Sequence, residues 1–347
     1  MRRHCILALW LTACVGGPTQ GASSETESDT GDYACPVGGR RLAFAWQDEL
    51  GQGRLRVFVD LDGDGLALTP GEAFEHLAPA GESLRGVGWL DVETVLLVGE
   101  SRVFAGALSE DFTQVQWTAL AELPGAEAGN AFLAGFYSPG PEHPGEAWGL
   151  FDLPWTPQLV RLDGQGLELV ETLAPGDLGD GERSLARMEG RWLVADPGGK
   201  AVWDLGEDFS APTKFVDSAS AAWAAAGLSD RPHTLSVLRD GLVAIQDDGD
   251  SAFIYLAEDL DDDGSIDPQV EVSLFVEPGI CHRPRPRHLA NLGERLLWVD
   301  DCEGTIIQEQ PGEAAEQRYF TLPAMALIHP DARSVGISAW NQNCVES

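Results

Sequence analysis

Between Arg231 and Val276 the chain alternates short apolar runs with turn residues. Four runs rich in β-branched and aromatic side chains, HTLSVL, LVAIQ, AFIYLAE and VEVSLF, are separated by Asp240-Gly241, by DDGD at 247–250 and by the acidic stretch DLDDDGSID. Runs of this length bounded by Asp and Gly predict strands, and the separators predict turns. The segment reads as a four-stranded antiparallel meander with an aspartate-rich loop between its third and fourth strands.

The opening of that unit's first strand recurs along the chain. Similar starts occur at Ser83 (SLRGVGW), Asn130 (NAFLAGF), Ser184 (SLARMEG), His233 (HTLSVLR), His288 (HLANLGE) and Ser334 (SVGISAW), spaced by 47, 54, 49, 55 and 46 residues. Second-strand runs follow where expected: TVLLVGE, RWLVADPGG, GLVAIQDD and RLLWVDDCEG. Four strands per repeat at a period near 40 to 50 residues is the pattern of propeller blades, each burying one face against the next. A β-sandwich needs no such spacing, and a parallel solenoid repeats at a shorter period. From Arg41 to Ala78 only three runs occur (RLAFAWQ, RLRVFVD, EAFEHLA), and SVGISAW can supply the missing innermost strand. The expected fold is therefore all-β: a six-bladed β-propeller of four-stranded antiparallel blades, the first closed by the C-terminal strand, which removes free edges at the seam. The third unit, around AWGLFDLPWTPQLVRLDGQGLELVETL, is less regular and leaves room for an insertion.

The N-terminus reads differently. Two arginines precede a brief apolar run from Cys5 to Trp10, too short to span a bilayer and typical of a signal peptide. Leu11-Thr12-Ala13-Cys14 resembles a bacterial lipobox, which implies cleavage after residue 13 and acylation of Cys14; an ordinary secretory signal with an incidental cysteine is the plainer alternative. Val15 stands where an inner-membrane retention signal places Asp, so the resemblance to Gram-negative lipoproteins implies an outer-membrane lipoprotein facing the periplasm or the cell surface. Residues 14–34, dominated by Gly, Ser, Thr, Glu and Asp, have no hydrophobic period and predict a flexible acidic tether. The expected divisions are a signal peptide at 1–13, the tether at 14–34 and a propeller domain at 35–347.

Charge narrows the partners. The 347 residues carry 22 Lys plus Arg against 56 Asp plus Glu, a net charge of −34. Such a surface repels nucleic acid and anionic headgroups and attracts cations. The membrane is expected to be met through the Cys14 anchor only, by a monomeric domain.

Of six cysteines, Cys5 leaves with the signal and Cys14 carries lipid, leaving Cys35, Cys281, Cys302 and Cys344. Four cysteines allow three pairings. The propeller arrangement favours Cys35 with Cys344 at the seam and Cys281 with Cys302 on one face of the sixth blade. An oxidising envelope compartment permits both disulfides.

Two loops carry metal-ligand chemistry. Asp259, Asp261, Asp263 and Asp267 occupy the first, third, fifth and ninth positions of a turn with Gly264 sixth, an oxygen cage suited to Ca²⁺. This loop resembles the calcium loops between strands of integrin-type propellers. Asp60, Asp62 and Asp64 with Gly65 repeat the start of the pattern, but the ninth position is Leu68, and Glu72 falls one place beyond the usual closing glutamate. Both loops lie between third and fourth strands, which points to structural calcium.

The opposite face gathers positive charge: Arg231 and His233, then Arg283, Arg285, Arg287 and His288, with Asp196, Lys200, Asp247, Asp248, Asp300 and Asp301 in nearby loops. Arginines there could fix a carboxylate, phosphate or sugar ligand at the channel mouth, or pair with the surplus acids of neighbouring blades. The succession RPHTLSVLRDGLVAIQDD and AFIYLAEDLDDDGSIDPQVEVSLFV resembles the six-bladed propellers of the NHL-repeat group and of the soluble quinoprotein glucose and sorbosone dehydrogenases. That resemblance implies His233 as a candidate catalytic base at the channel, with Arg and Lys side chains on the carboxylates of a PQQ-type quinone; His288, at the start of the next unit, is a second candidate. No nucleophile elbow, phosphate loop, zinc spacing or nicotinamide fingerprint occurs. Two functions remain. One is a lipid-anchored envelope module that binds a protein or glycan and is stiffened by calcium. The other is a propeller enzyme, a quinone-dependent sugar dehydrogenase or a lactonase, acting at the channel.

Overall fold

The computed structural model describes residues 40–341 apart from 49, 63–70, 124–131, 138–144, 154–155, 173–177, 179–182, 208, 210–211, 240, 248–252, 277–283, 293–294, 301–304, 310–316 and 322–332. They form six four-stranded antiparallel sheets. The first sheet runs β24 (Arg333–Asn341), β1 (Arg40–Gln47), β2 (Gly53–Val59), β3 (Ala73–Leu77). The next holds β4 (Leu84–Trp89), β5 (Thr94–Gly99), β6 (Arg102–Leu108) and β7 (Val115–Glu122), and the third β8 (Phe132–Tyr137), β9 (Glu146–Leu153), β10 (Thr156–Asp163) and β11 (Gly166–Thr172). The fourth comprises β12 (Ser184–Met188), β13 (Arg191–Asp196), β14 (Ala201–Asp204) and β15 (Thr213–Asp217). The fifth comprises β16 (Pro232–Arg239), β17 (Leu242–Asp247), β18 (Ile254–Glu258) and β19 (Val272–Val276). The sixth comprises β20 (Pro284–Leu292), β21 (Arg295–Asp300), β22 (Thr305–Glu309) and β23 (Gln317–Thr321).

The first strands β24, β4, β8, β12, β16 and β20 touch one another in cyclic order, so the six sheets close into a ring. This is the six-bladed propeller that the repeat spacing predicts, and β24 completes the first blade by pairing with β1 from Arg40↔Asn341 to Gln47↔Arg333. Among the described residues the third unit is a four-stranded sheet like the others.

Second strands explain why the ring holds. Along β1, Leu42, Phe44 and Trp46 pack toward the sixth blade, whereas Ala43 and Ala45 pack toward the second. In β17, Leu242 and Ala244 join the core shared with the sixth blade, and Val243 and Ile245 the core shared with the fourth. Successive side chains of a strand point to opposite faces, and here both faces are covered, so these strands read as continuous apolar runs rather than strict alternations. The result is six separate cores, one between each pair of neighbouring blades.

One element was not foreseen from strand periodicity. Helix α1 (Ala221–Ala225) lies in the connection between the fourth and fifth blades. Alanines favour it, the Ser220 hydroxyl accepts from Trp223 N at 3.1 Å as an N-cap, and Gly227 follows at φ +75°. Trp223 is buried in the core between those blades and donates its indole N–H to Ser229 O.

Candidate metal-binding loops and the opposite face

The two acidic loops occupy equivalent places, one between β2 and β3 and the other between β18 and β19, each the third-to-fourth-strand connection of its blade. In the fifth blade, Asp263 N donates to Asp259 Oδ1 at 3.2 Å and to Asp261 Oδ1 at 3.3 Å, and Gly264 N donates to Asp259 Oδ2 at 2.9 Å. This winding needs left-handed backbone at Asp262 (φ 57°) and Gly264 (φ 81°), which Asp tolerates and Gly adopts freely. Carboxylate oxygens of Asp259, Asp261 and Asp263 lie within 4.8 Å of one another. A cation bound at about 2.3–2.6 Å to each of two oxygens requires them to be no more than roughly 5 Å apart, so the all-oxygen trio fits Ca²⁺. Asp267 serves the following turn instead: its Oδ1 accepts from Gln269 N at 2.9 Å, and its carbonyl accepts from Val270 and Glu271.

In the first blade the trio is Asp60, Asp62 and Glu72, again with oxygens within 4.8 Å, and Asp60 and Glu72 are buried. Glu72, one place beyond the usual closing position, brings a carboxylate oxygen within 4.8 Å of those of Asp60 and Asp62. Asp64 lies outside the described residues.

Glu271, unnoticed in the sequence, is the counterpart of Glu72. Each stands thirteenth counting from its loop's first aspartate, in the shared pattern Asp-Leu-Asp-x-Asp-Gly followed by six residues and Glu. Glu271 Oε1 accepts from Leu260 N at 2.8 Å and Oε2 from Asp267 N at 2.6 Å. Glu72 Oε1 accepts from Leu61 N at 2.9 Å and Asp62 N at 3.3 Å. Their carbonyls receive the matching amides Glu258 N at 3.0 Å and Val59 N at 2.9 Å.

The local electrostatics suit cation capture. Desolvation first, then repulsion from Asp263, Glu271 and Asp259, raises the Asp261 carboxyl above its ordinary range despite the amide of Asp263. Hydrogen bonds from the Ser265 hydroxyl and amide lower that of Asp263.

On the opposite face two ion pairs and several backbone-to-carboxylate bonds hold the loops. Arg183 Nε stands 3.9 Å from Asp196 Oδ1, and both side chains are buried. Asp196 also accepts from Gly199 N at 3.0 Å and Trp203 Nε1 at 3.3 Å, fixing the turn in which Lys200 takes φ 53° and pairs with Asp230. The Arg231 amide donates to Asp247 Oδ2 at 3.4 Å, while its side chain is exposed. His233 is buried, with Nδ1 3.3 Å from Thr234 Oγ1. Arg183 was missed although a pattern marks it: Arg183, Arg231 and Arg283 each precede a first strand, and Asp196, Asp247 and Asp300 each end the next. Tyr255 lies near Asp247; burial first, and then that charge, pushes its hydroxyl up to about 12 against the pull of Ser229 N.

Other candidates fall where the structure says nothing of their side chains. Arg283, Asp248, Asp301, Cys14, Cys35, Cys281, Cys302 and Cys344 lie outside the described residues. Arg285, Arg287, His288 and Asp300 are described only as strand backbone in β20 and β21.

No family model matches the chain, and no curated protein matches it. Among solved structures, a chain in a crystal structure of a nidogen/laminin complex is 14% identical with TM-score 0.55, the match covering 87% of this chain and 98% of that one. A protein of unknown function from Bacteroides thetaiotaomicron is 13% identical with TM-score 0.51, covering 77% and 69%. A streptogramin B lyase structure is 12% identical with TM-score 0.47, covering 84% and 86%. At 14% and 13% identity the first two likenesses show the fold alone, in agreement with the ring of six sheets: this chain is a six-bladed β-propeller.

Proposed function

We propose that this propeller is a binding module of the bacterial envelope, lipid-anchored through Cys14, stiffened by Ca²⁺ in two loops, and recognising a protein or glycan. The observation that carries this reading is the use made of polar groups on the face opposite the acidic loops. Asp196 holds Arg183, Gly199 and Trp203 at once, Asp247 receives the Arg231 amide, and Lys200 bridges to Asp230. Groups committed to fixing loops build a rigid platform, and a rigid surface loses less entropy when a partner binds. Disulfides Cys35–Cys344 and Cys281–Cys302 would brace the seam and the sixth blade in the same way.

Asp259, Asp261 and Asp263 would hold one Ca²⁺, and Asp60, Asp62 and Glu72 the other. The ion would screen carboxylates that repel one another and pin third to fourth strands in the first and fifth blades. Thermal unfolding of the domain in Ca²⁺ and in chelator tests the metal. Pull-down from solubilised envelope, followed by a direct affinity measurement on the purified partner, tests the binding role.

A second reading is favoured by one residue. Gln246 in β17 is fully buried, pairs in register with Thr234 of the innermost strand β16, and neither amide atom has a hydrogen-bond partner among the described residues. A buried amide left unpaired costs about 1–3 kcal/mol, a cost that a small polar ligand near the channel could remove. On that reading the protein is a propeller enzyme, a sugar dehydrogenase with a PQQ-type quinone or a lactonase, with His233 or His288 as base. A rise in unfolding temperature with quinone plus Ca²⁺, beyond that with Ca²⁺ alone, would put the enzyme first.

A further inference from the structure

We infer that the acidic loop of the fifth blade is a strap across the rim between the fourth and fifth blades, and that its closure holds Asp230 and Arg231 in place on the opposite face. This deepens the reading of the opposite face as a binding platform and rests on it; the strap itself rests on geometry. Sheets set radially in a ring touch through their innermost strands and diverge toward the rim, where other side chains must fill the space between them. Between β15 and the fifth blade two inserts do so. One is Trp223 from α1. The other is Ile266, the eighth residue of the acidic loop, which is 7% exposed and shares one core with Phe215, Val216, Trp223 and Ile245. The Ile266 amide also donates to Phe215 O at 2.9 Å, so a loop of the fifth blade is hydrogen-bonded to the outermost strand of the fourth.

The loop is wound so as to present that residue. Glu271 accepts from Leu260 N and Asp267 N, and Asp259 accepts from Asp263 N and Gly264 N. Of the three aliphatic side chains so arranged, Leu260 and Val270 face solvent, 62% and 70% exposed, and Ile266 alone enters the core.

From Ile266 the contacts run to the other face. Trp223, in the same core, donates its indole N–H to Ser229 O, and its ring meets that of Tyr255 edge-on at 6.2 Å. The Tyr255 hydroxyl accepts from Ser229 N at 3.1 Å. Ser229 is thus gripped at both its amide and its carbonyl. The next residue, Asp230, pairs with Lys200 and accepts from Ser218 Oγ at 3.1 Å, and the Arg231 amide donates to Asp247. With the strap open, Phe215 O loses its donor, Trp223 loses part of its cover, and the grip on Ser229 slackens. Such coupling is reciprocal: a partner seated against Arg231 strengthens the loop's hold on an ion by the factor by which the ion strengthens the partner's binding.

Amide exchange of the whole chain across low urea concentrations tests the strap without a mutation. The amides of Leu260, Gly264 and Ile266 and those of Ala226, Leu228 and Ser229 should share one opening free energy and one urea slope, below the values of Leu96 and Leu97 in β5. Different openings for the two sets, or a shared opening found only at the value of global unfolding, would overturn the inference. Ile266→Ala should speed exchange of Leu228 and Ser229 at least about threefold while β5 and β6 keep their rates. Unchanged rates at Leu228 and Ser229 would overturn it as well. Ca²⁺ at about ten times the concentration that half-saturates the loop should slow both sets about tenfold, because an ion bound only to the closed loop lowers its opening in proportion to occupancy. Slowing confined to the loop contradicts the coupling. No slowing anywhere defeats the metal reading alone and leaves the strap to be judged by the urea slopes. Failure to recover a partner removes the opposite face's role without changing these rates.

Discussion

The amide of Leu260 donates to Glu271 Oε1 at 2.8 Å, closing a loop whose ends are eleven positions apart. The first blade repeats this bond between Leu61 and Glu72 at 2.9 Å. Glu271 also accepts from Asp267, so one buried carboxylate organises two turns of the loop before any ion arrives. Replacing Glu271 with Ala should orphan both amides and cost about 1–3 kcal/mol in the absence of metal. Glu271→Gln, which keeps one acceptor oxygen, should lose less. Urea unfolding in chelator measures both; equal loss from the two variants would show that acceptor geometry is not what matters.

Calcium should raise the unfolding temperature of the domain. At a free concentration about 100 times the Kd, a single site contributes roughly 2.7 kcal/mol. Asp261→Asn should remove part of this increment and Asp62→Asn another part, because the two loops belong to different blades. An unchanged melting curve in chelator and in millimolar Ca²⁺ would defeat the metal reading.

Asp196→Ala should be far more harmful than its distance from the acidic loops suggests. It removes the carboxylate beside buried Arg183 and releases Gly199 N and Trp203 Nε1. Two part-buried donors lose their acceptor, which costs about 1–3 kcal/mol for each. A loss under about 1 kcal/mol, with partner binding abolished, would mean that Asp196 serves the ligand rather than the platform.

Gly106 should not tolerate a methyl group. A Cβ there would lie 2.4 Å from the Trp117 ring, which sits directly across the β6–β7 pair and is held by its indole bond to Leu77 O at 2.8 Å. Gly106→Ala should cost about 1–3 kcal/mol and shift tryptophan emission as the ring is displaced. An unchanged spectrum and midpoint would mean that the ring moves freely.

His76, buried in β3 with no partner for Nε2 among the described residues, supplies a pH dependence. Burial lowers its pKa, only partly opposed by Glu75. Below about pH 6.5 the unfolded chain takes up a proton that the folded chain refuses, so stability falls with acidification, by at most about 1.4 kcal/mol per pH unit. His76→Leu should flatten the stability profile between pH 7 and pH 5 relative to the parent. Parallel profiles would refute this.

Much of the fold was legible in the sequence because a propeller repeats one local instruction. The starts at Ser83, Ser184 and His233 each open a first strand, and the shortage of runs before Ala78 announced the closing role of SVGISAW. Helix α1 escaped because a period-two reading passes over a short alanine stretch whose only anchor is Trp223. Of the candidate metal residues, Asp259, Asp261 and Asp263 do converge, since alternate positions of a tight turn point inward. Glu271 lies outside the nine positions of the calcium pattern, because the loop closes at the thirteenth.

By itself the sequence determined the number of blades, the strand that closes the ring and the acidic positions of both loops. Each follows from neighbours along the chain, where turn chemistry and alternation act within a few residues. Only the tertiary structure decided which face of each second strand meets which blade, that Asp196 is committed to Arg183, and that Arg40, Asn341 and the acidic loops share one side of the ring. These depend on residues far apart in the chain: burial and pairing are settled by what the closed ring brings together.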